Sequence, residues 1–328
     1  MTHKDCGISW THVALGSLYG CKECSHGCTN CYAVTRTYRF SANPVHNKDG
    51  RFDTLIATKK QKVTMDGVNT EKVVRHFSGD ILFNPAHLYA ALKVREPRMI
   101  FVNEFSDLYH DNVPMNVILE HFRVFEAVPH CTFQILTKRA DRLAEVNKAV
   151  LAKFGAWPVN VWQGVSVCTG AKVEMRRIDL LGKTQAKVKW VSFEPWISDP
   201  KQALKAACPD LAQRLKLNQI TWSVIGGESG SKEKSRLMTM DDAQYLFASS
   251  KDAGCKLHFK QLGIQLALKL GNYSTQGKGE HRAKGGNPDQ IPRKLRKREW
   301  PPIPRTKVVR PSSFKVAFDP KDWKLFKG

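Results

Sequence analysis

Short runs of β-branched and aromatic residues alternate with longer stretches of helical periodicity along most of this chain. That alternation restricts the fold more than any other feature. The strand runs are Ile8–Thr11, Val73–Phe77, Met99–Asn103, Thr132–Thr137, Val161–Val167, Val188–Phe193, Ile220–Ile225 and Lys256–Lys260. Helical patterns cover Tyr32–Phe40, Pro85–Arg95, Met115–Val128, Arg139–Phe154, Ala171–Leu181, Lys201–Leu215 and Met240–Ala253. Several strand runs are apolar nearly throughout, as expected of parallel strands covered on both faces. The rhythm predicts an α/β fold, a TIM-like (β/α) barrel, full or partial, over residues 1–270. Periodicity does not report closure, so a doubly wound open sheet is the alternative.

Two segments fall outside the rhythm. Ser41–Glu71 is polar and basic and reads as an excursion between the first helix and the second strand. Residues 271–328 are rich in Gly, Pro, Lys and Arg and contain Trp300-Pro301-Pro302-Ile303-Pro304. They read as an irregular basic extension wrapped on the barrel and frayed at its end. Charge supports a polyanionic partner: the chain carries a formal +22, and residues 281–328 hold 14 Lys and Arg against 4 Asp and Glu. Nucleic acid is the expected partner. Arg293, Lys294, Arg296, Lys297 and Arg298 would follow a phosphate backbone, with Trp300 and Phe314 stacking on bases. A solvated tail that packs Trp300 and the prolines on the barrel is the plainer reading.

No run reaches the ~20 apolar residues of a membrane span, and Met1-Thr2-His3-Lys4-Asp5-Cys6 lacks the apolar run of a signal peptide. A cytoplasmic location is therefore expected, where the nine cysteines serve as metal ligands, reactive thiols or small apolar residues and not as disulfides. Four of them fall in Gly20-Cys21-Lys22-Glu23-Cys24-Ser25-His26-Gly27-Cys28-Thr29-Asn30-Cys31-Tyr32. This loop follows the first strand run and enters a helical one, the junction at which βα barrels build active sites. Cys24, Cys28 and Cys31 are spaced C-x3-C-x2-C. Three thiolates would hold three irons of a [4Fe–4S] cubane and leave the fourth open to a small molecule. A four-cysteine zinc site is the competing reading, although zinc ribbons separate their cysteine pairs more widely. A ferredoxin-like electron-transfer cluster is another, although its spacing differs and its following proline is absent.

The cysteine loop resembles that of the radical S-adenosylmethionine (SAM) superfamily. The chain as a whole resembles a phage-associated, radical-SAM-like family with a three-cysteine motif. The resemblance rests on Ile8-Ser9-Trp10-Thr11, Gly27-Cys28-Thr29-Asn30-Cys31-Tyr32-Ala33, Phe101-Val102-Asn103, Ser106-Asp107-Leu108 and Leu136-Thr137-Lys138-Arg139. It continues through Gly164-Val165-Ser166-Val167, Ser192-Phe193-Glu194-Pro195, Gly226-Gly227-Glu228-Ser229-Gly230, Phe259-Lys260-Gln261 and Lys284-Gly285-Gly286, covering roughly residues 8 to 305. In that family the first cysteine precedes the second by seven residues, which selects Cys21, Cys28 and Cys31; Cys24 has the superfamily's commoner spacing and is the alternative first ligand.

The resemblance implies a bacterial-host cytoplasmic enzyme that cleaves SAM to a 5′-deoxyadenosyl radical, supplied with electrons by a flavodoxin- or ferredoxin-like donor. It assigns Gly226, Gly227 and Glu228 to the methionyl amine, with Glu194 and Ser166 as alternative contacts and Tyr32 and Asn103 completing the SAM set. Lys138 would meet a carboxylate or a substrate phosphate. Cys168 would donate a hydrogen atom, as a distant similarity to spore photoproduct lyase allows, or fill a small buried space. The expected reaction is modification or repair of DNA or RNA. The alternatives are a nucleic-acid-binding protein with a structural iron–sulfur or zinc site, and a radical enzyme acting on a nucleotide or small metabolite.

Overall fold

The computed structural model describes residues 3–4, 6–65, 68–272, 285–304, 306–309, 311 and 313–328; Lys284 of the motif set and positions 273–284 of the basic extension lie outside them. The main sheet starts with β1 (His3–Lys4), antiparallel to β2 (Val13–Leu15). Next come β3 (Leu18–Tyr19), β4 (Ile56–Met65), β5 (Val68–Phe77) and β6 (Ile81–Phe83), which lie outside it. The sheet resumes with β7 (Met99–Val102), β8 (Thr132–Thr137), β9 (Val161–Ser166), β10 (Lys189–Trp196), β11 (Trp222–Gly227) and β12 (Lys256–Gln261). Its order is β1-β2-β7-β8-β9-β10-β11-β12, parallel from β2 onward. These seven parallel strands curl into a half-barrel flanked by helices. The helices are α1 (Tyr32–Ser41), α2 (Pro85–Tyr89), α3 (Met115–Ala127), α4 (Leu143–Phe154), α5 (Lys172–Gly182), α6 (Leu204–Ala207), α7 (Leu211–Leu217), α8 (Met240–Asp252) and α9 (Ile264–Lys269).

The two-residue period of the strands divides the core. On β7, Ile100 and Val102 join the large cluster shared with the helices, whereas Met99 and Phe101 join a second cluster with Trp10, Trp162, Trp190, Trp222 and Val224. The second cluster fills the bottom of the concave side. Its packing needs Gly164, because a Cβ there would lie 2.3 Å from the Trp190 ring. Following the same concave-facing register to the strand ends gives Asn103, Lys138, Ser166, Glu194, Gly226 and Lys260, so the period that buries tryptophans below delivers polar groups above.

Three sequence expectations change. Ile8–Thr11 is a turn, closed by Thr11 N–H donating to the Ile8 carbonyl (3.3 Å), and the first parallel strand starts at Val13. The turn lets Trp10 enter the lower cluster, which an extended run would not. Val73–Phe77 is no barrel strand; it is the end of β5, paired with β4 in a two-stranded ribbon whose register runs from Ile56↔Phe77 to Met65↔Val68. The excursion from Ser41 to Glu71 therefore continues to Phe77. Lys201–Leu215 splits into α6 and α7 around Cys208-Pro209-Asp210, as a proline that lacks an N–H and clashes with the preceding turn requires.

The C-terminal extension packs where fraying was expected. Residues 297–299 cover the open edge of β12: Phe259 N–H donates to the Lys297 carbonyl (2.8 Å) and Glu299 N–H to that of Leu257 (2.7 Å). Trp300 Nε1 donates to the Trp10 carbonyl (3.0 Å) and Ser9 Oγ meets His258 Nε2 (2.9 Å), tying the β12 side to the turn before β2 at the bottom. Farther on, β13 (Lys324–Phe326) pairs with β6, giving a small sheet β13-β6-β3. Trp323 stacks on Tyr19 at 6.2 Å and Phe318 meets Phe83 edge-on at 5.3 Å. Among the described residues no helix is long and apolar enough to cross a membrane.

Candidate functional site

A cavity of about 640 Å³ opens at the C-terminal ends of the parallel strands. Trp10, Phe101, Leu136, Ser166 and Ser192 line it, as do Asn103, Lys138, Glu194, Lys260 and Gln261; Cys21, Cys24, Cys28 and Cys31 complete the lining from above. The loop carrying these four thiols comes from β3, makes a single 3-10 turn at His26–Cys28, and enters α1 at Cys31, which occupies the N-cap position.

Charged residues pin the loop from two sides. On one side Arg139 Nη2 donates to the Lys22 carbonyl (2.9 Å), and its Nη1 approaches the sulfurs of Cys21 (3.6 Å) and Cys24 (3.8 Å). Arg139 is itself held by Asp107 at 3.7 Å. That carboxylate also accepts from Thr137 Oγ1 (2.8 Å) and Lys138 N–H (3.0 Å), fixing the end of β8. On the other side Arg236 grips Glu228 with Nε (2.9 Å) and Nη2 while its Nη1 donates to the His26 carbonyl (2.8 Å). Asn30 Nδ2 donates to Glu228 (3.2 Å) and to the Lys234 carbonyl (2.8 Å). Beneath the turn, Gly27 rests on Cys168: a Cβ would lie 2.3 Å from the Cys168 sulfur.

The electrostatics follow from these contacts. The Cys24 thiol donates to Cys28 and, with Lys138 nearby and burial opposing, holds the Cys28 thiol well below its ordinary value. Burial pushes Cys21 up to about 12 and raises Cys31. Burial opposes the charge of the Lys138 ammonium, but Cys168, Cys28, Cys31 and Cys24 around it hold its pKa above the ordinary lysine value. Burial raises Cys168 to about 12. Glu104, on the cavity wall, is pushed up to about 7 by burial despite Arg36 nearby. Among the described residues no three His, Cys, Asp or Glu side chains stand in a ready metal-ligating arrangement, although all four thiols line the cavity.

The cavity brings together every residue expected at the SAM and cluster sites, Gly226 apart, yet their roles diverge. Glu228 is 3% exposed and engaged by Arg236 and Asn30, so it ties the cysteine loop to β11. Gly226 makes room for Glu194, whose Oε1 would lie 2.5 Å from an added Cβ, and Gly227 presses on the Leu262 carbonyl. Glu194 pairs with Lys260 at 3.2 Å. Asn103, at φ 62°, accepts with Oδ1 from Ser17 N–H (3.0 Å) and Leu18 N–H (3.0 Å), leaving its buried Nδ2 without a protein partner. Tyr32 is half exposed and its hydroxyl donates to the Glu104 carbonyl (3.0 Å).

The basic residues of the extension are placed elsewhere. Arg296 donates to the Ile291 carbonyl (2.6 Å), Arg298 to that of Gly286 (3.0 Å), and Lys297 pairs with Glu299 (3.2 Å); Arg293 and Lys294 are exposed on the same flank. Trp300 meets His258 edge-on (5.1 Å) and Phe314 packs under Arg123 (4.1 Å), so neither is free to stack on a base. Sequence reasoning missed Arg236, Asn30 and Glu174. Glu174 accepts from Cys168 N–H (2.5 Å) and Thr169 N–H (3.1 Å) and so shapes the loop after β9. Arg236 and Glu174 stand in none of the motifs, whereas Asn30 stands in Gly27-Cys28-Thr29-Asn30-Cys31-Tyr32-Ala33, but its partner Glu228 lies 198 residues on. Glu104 was within reach, since it directly follows the strand-end residue Asn103.

A family model described as "Protein of unknown function (DUF5131)" matches residues 5–300. No curated protein and no solved structure matches the chain.

Proposed function

The chain belongs to the DUF5131 family, and from that premise and the cavity we propose that it is a radical SAM enzyme acting on nucleic acid. We read the seven-strand half-barrel as a partial TIM-like (β/α) barrel whose C-terminal mouth is the active site. The observation that carries the reading is the position of the four thiols: they line the same cavity as the strand-end residues Lys138, Ser166, Glu194 and Lys260. The donor set fits an iron–sulfur cluster. Thiols are its usual protein ligands, and Lys138 and Arg139 beside them supply compensating positive charge. Cys28 and Cys31, with Cys21 or Cys24, would hold the cluster. Such a cofactor pair, when bound, would supply one-electron reductive cleavage of a carbon–sulfur bond and, through it, hydrogen-atom abstraction.

The chain's own contribution is placement and exclusion. Trp10, Phe101 and Leu136 give the cavity an apolar floor that excludes water. The Glu194–Lys260 pair and the unpartnered Asn103 amide offer a carboxylate, an ammonium and an N–H donor to an amino-acid-like group. Glu228 and Arg236 keep the cysteine loop over this cavity.

The test is anaerobic reconstitution with iron and sulfide, followed by dithionite and SAM, with 5′-deoxyadenosine as the product assayed. Product above a Cys28→Ala control is expected. A colourless zinc-filled site, or a cluster whose spectrum SAM leaves unchanged, would replace this reading with that of a structural metal site.

A further inference from the structure

The ribbon formed by β4 and β5 is the one long element that neither the half-barrel nor the small sheet absorbs. Its ten-residue strands pair along their whole length, a span of about 34 Å at the usual rise per residue. Its base is fastened beside the cavity mouth. Phe77 lines the cavity, Lys59 reaches Glu23 of the cysteine loop at 3.5 Å, and the Arg75 guanidinium lies 3.8 Å over the Tyr38 ring of α1.

The register sets its charge. Lys59 opposes Val74 and Lys60 opposes Val73, so Lys59 and Lys72 share one face while Lys60 and Arg75 share the other. All four are exposed. Lys22 on the cysteine loop and Arg36 and Arg39 on α1 are exposed as well and extend this basic surface around the mouth. The run Arg293–Arg298 of the basic extension lies away from this mouth. The extension runs along β12 to Trp300 at the bottom of the barrel, and Arg296, Lys297 and Arg298 are engaged by neighbouring groups of the extension.

We infer that the β4–β5 ribbon grips duplex DNA and lays it across the cavity mouth. This rests on the proposed nucleic-acid substrate and names its class. A two-stranded ribbon, twisted as such pairs are, with cations on both faces matches the major groove of B-form DNA, which is about 12 Å wide and admits such a ribbon between two phosphate backbones. The major groove of duplex RNA is too deep and narrow for it. Lys59 and Lys60 have acidic neighbours, Glu23 and Glu71. Both pairs are solvent-exposed and weak, so phosphates can replace the carboxylates.

The experiment is fluorescence anisotropy of the reconstituted chain with a labelled DNA duplex of about 25 base pairs, across a salt series. The Lys59→Gln/Lys60→Gln/Lys72→Gln variant, with an unchanged thermal midpoint, is expected to bind about 10-fold or more weakly and to lose about 3 units of salt slope. Arg293→Gln/Lys294→Gln/Lys297→Gln is expected to stay within about twofold of the parent, and the matching RNA duplex to bind about 10-fold more weakly than DNA. Parent protein that ignores the duplex, a ribbon variant that binds like the parent, a tail variant that loses as much, or equal affinity for RNA would each overturn the inference. The assay contains neither reductant nor SAM, so its failure is read separately from failure of the radical chemistry.

Discussion

Single side chains decide how the cysteine loop sits. Gly27 has no space for a methyl group against the Cys168 sulfur. Gly27→Ala should cost about 1–3 kcal/mol, the usual cost of overpacking, and adding Cys168→Ala should recover most of it; a urea midpoint series on the three variants reads both effects. Equal loss in single and double variants would show that the contact is not the cause. Arg139 touches two of the candidate ligand sulfurs and one loop carbonyl. Hydrogen bonds to sulfur raise a cluster's potential, so Arg139→Gln should lower the midpoint of the reconstituted cluster in a redox titration, and an unmoved midpoint would remove Arg139 from that role. His121 lies fully buried between Ser17 Oγ (2.7 Å) and the Val117 carbonyl (2.8 Å), and burial pushes its pKa down to about 4. Unfolded, it takes up a proton near pH 6.5, so its contribution is complete above that pH and is lost as pH falls toward 4. The loss should reach about 2 kcal/mol at pH 5. Comparing urea midpoints at pH 7 and 5 for the parent and His121→Gln checks the sign; an identical pH response in both would refute it.

Elements far apart in the chain complete one another. The cysteine loop has no regular structure beyond one 3-10 turn, and it is ordered by Arg236 and Glu228 from the β11 side and by Arg139 from β8. The small sheet needs β13, contributed by the last residues of the chain, to cover β6. Removing residues 313–328 would uncover Phe83 and Tyr19 and withdraw the aromatic rings of Phe318 and Trp323. Calorimetry should show the melting temperature lowered by at least ~5 °C, given the apolar area exposed. An unchanged transition would mean that the C-terminal strand is an ornament of the fold and not part of its stability. The ribbon shows how an element escapes sequence reading. Its polar, Lys-rich β4 lacks the apolar alternation of a half-buried strand, and Thr58, Lys59 and Lys60 are exposed.

At the scale of the molecule, exposed cations gather around the cavity mouth, whereas Arg296, Lys297 and Arg298 are engaged by groups of the extension itself. The total of +22 was legible at once, but its distribution was not, because charge counts carry no direction. The sequence by itself determined the βα alternation, the boundaries of most parallel strands, and the identity of the thiols and strand-end polar groups that meet in the cavity. Those follow from local periodicity and from motif spacing, which act over a few residues. Only the tertiary structure decided that Ile8–Thr11 turns, that the sheet stops at seven parallel strands, and that Glu228 is engaged by Arg236. It also decided that the basic extension seals an edge at the bottom while a ribbon stands at the mouth. The edge seal and the extent of the sheet depend on contacts between residues tens to hundreds of positions apart, and the free energy of such contacts is set by what the rest of the chain has already placed nearby.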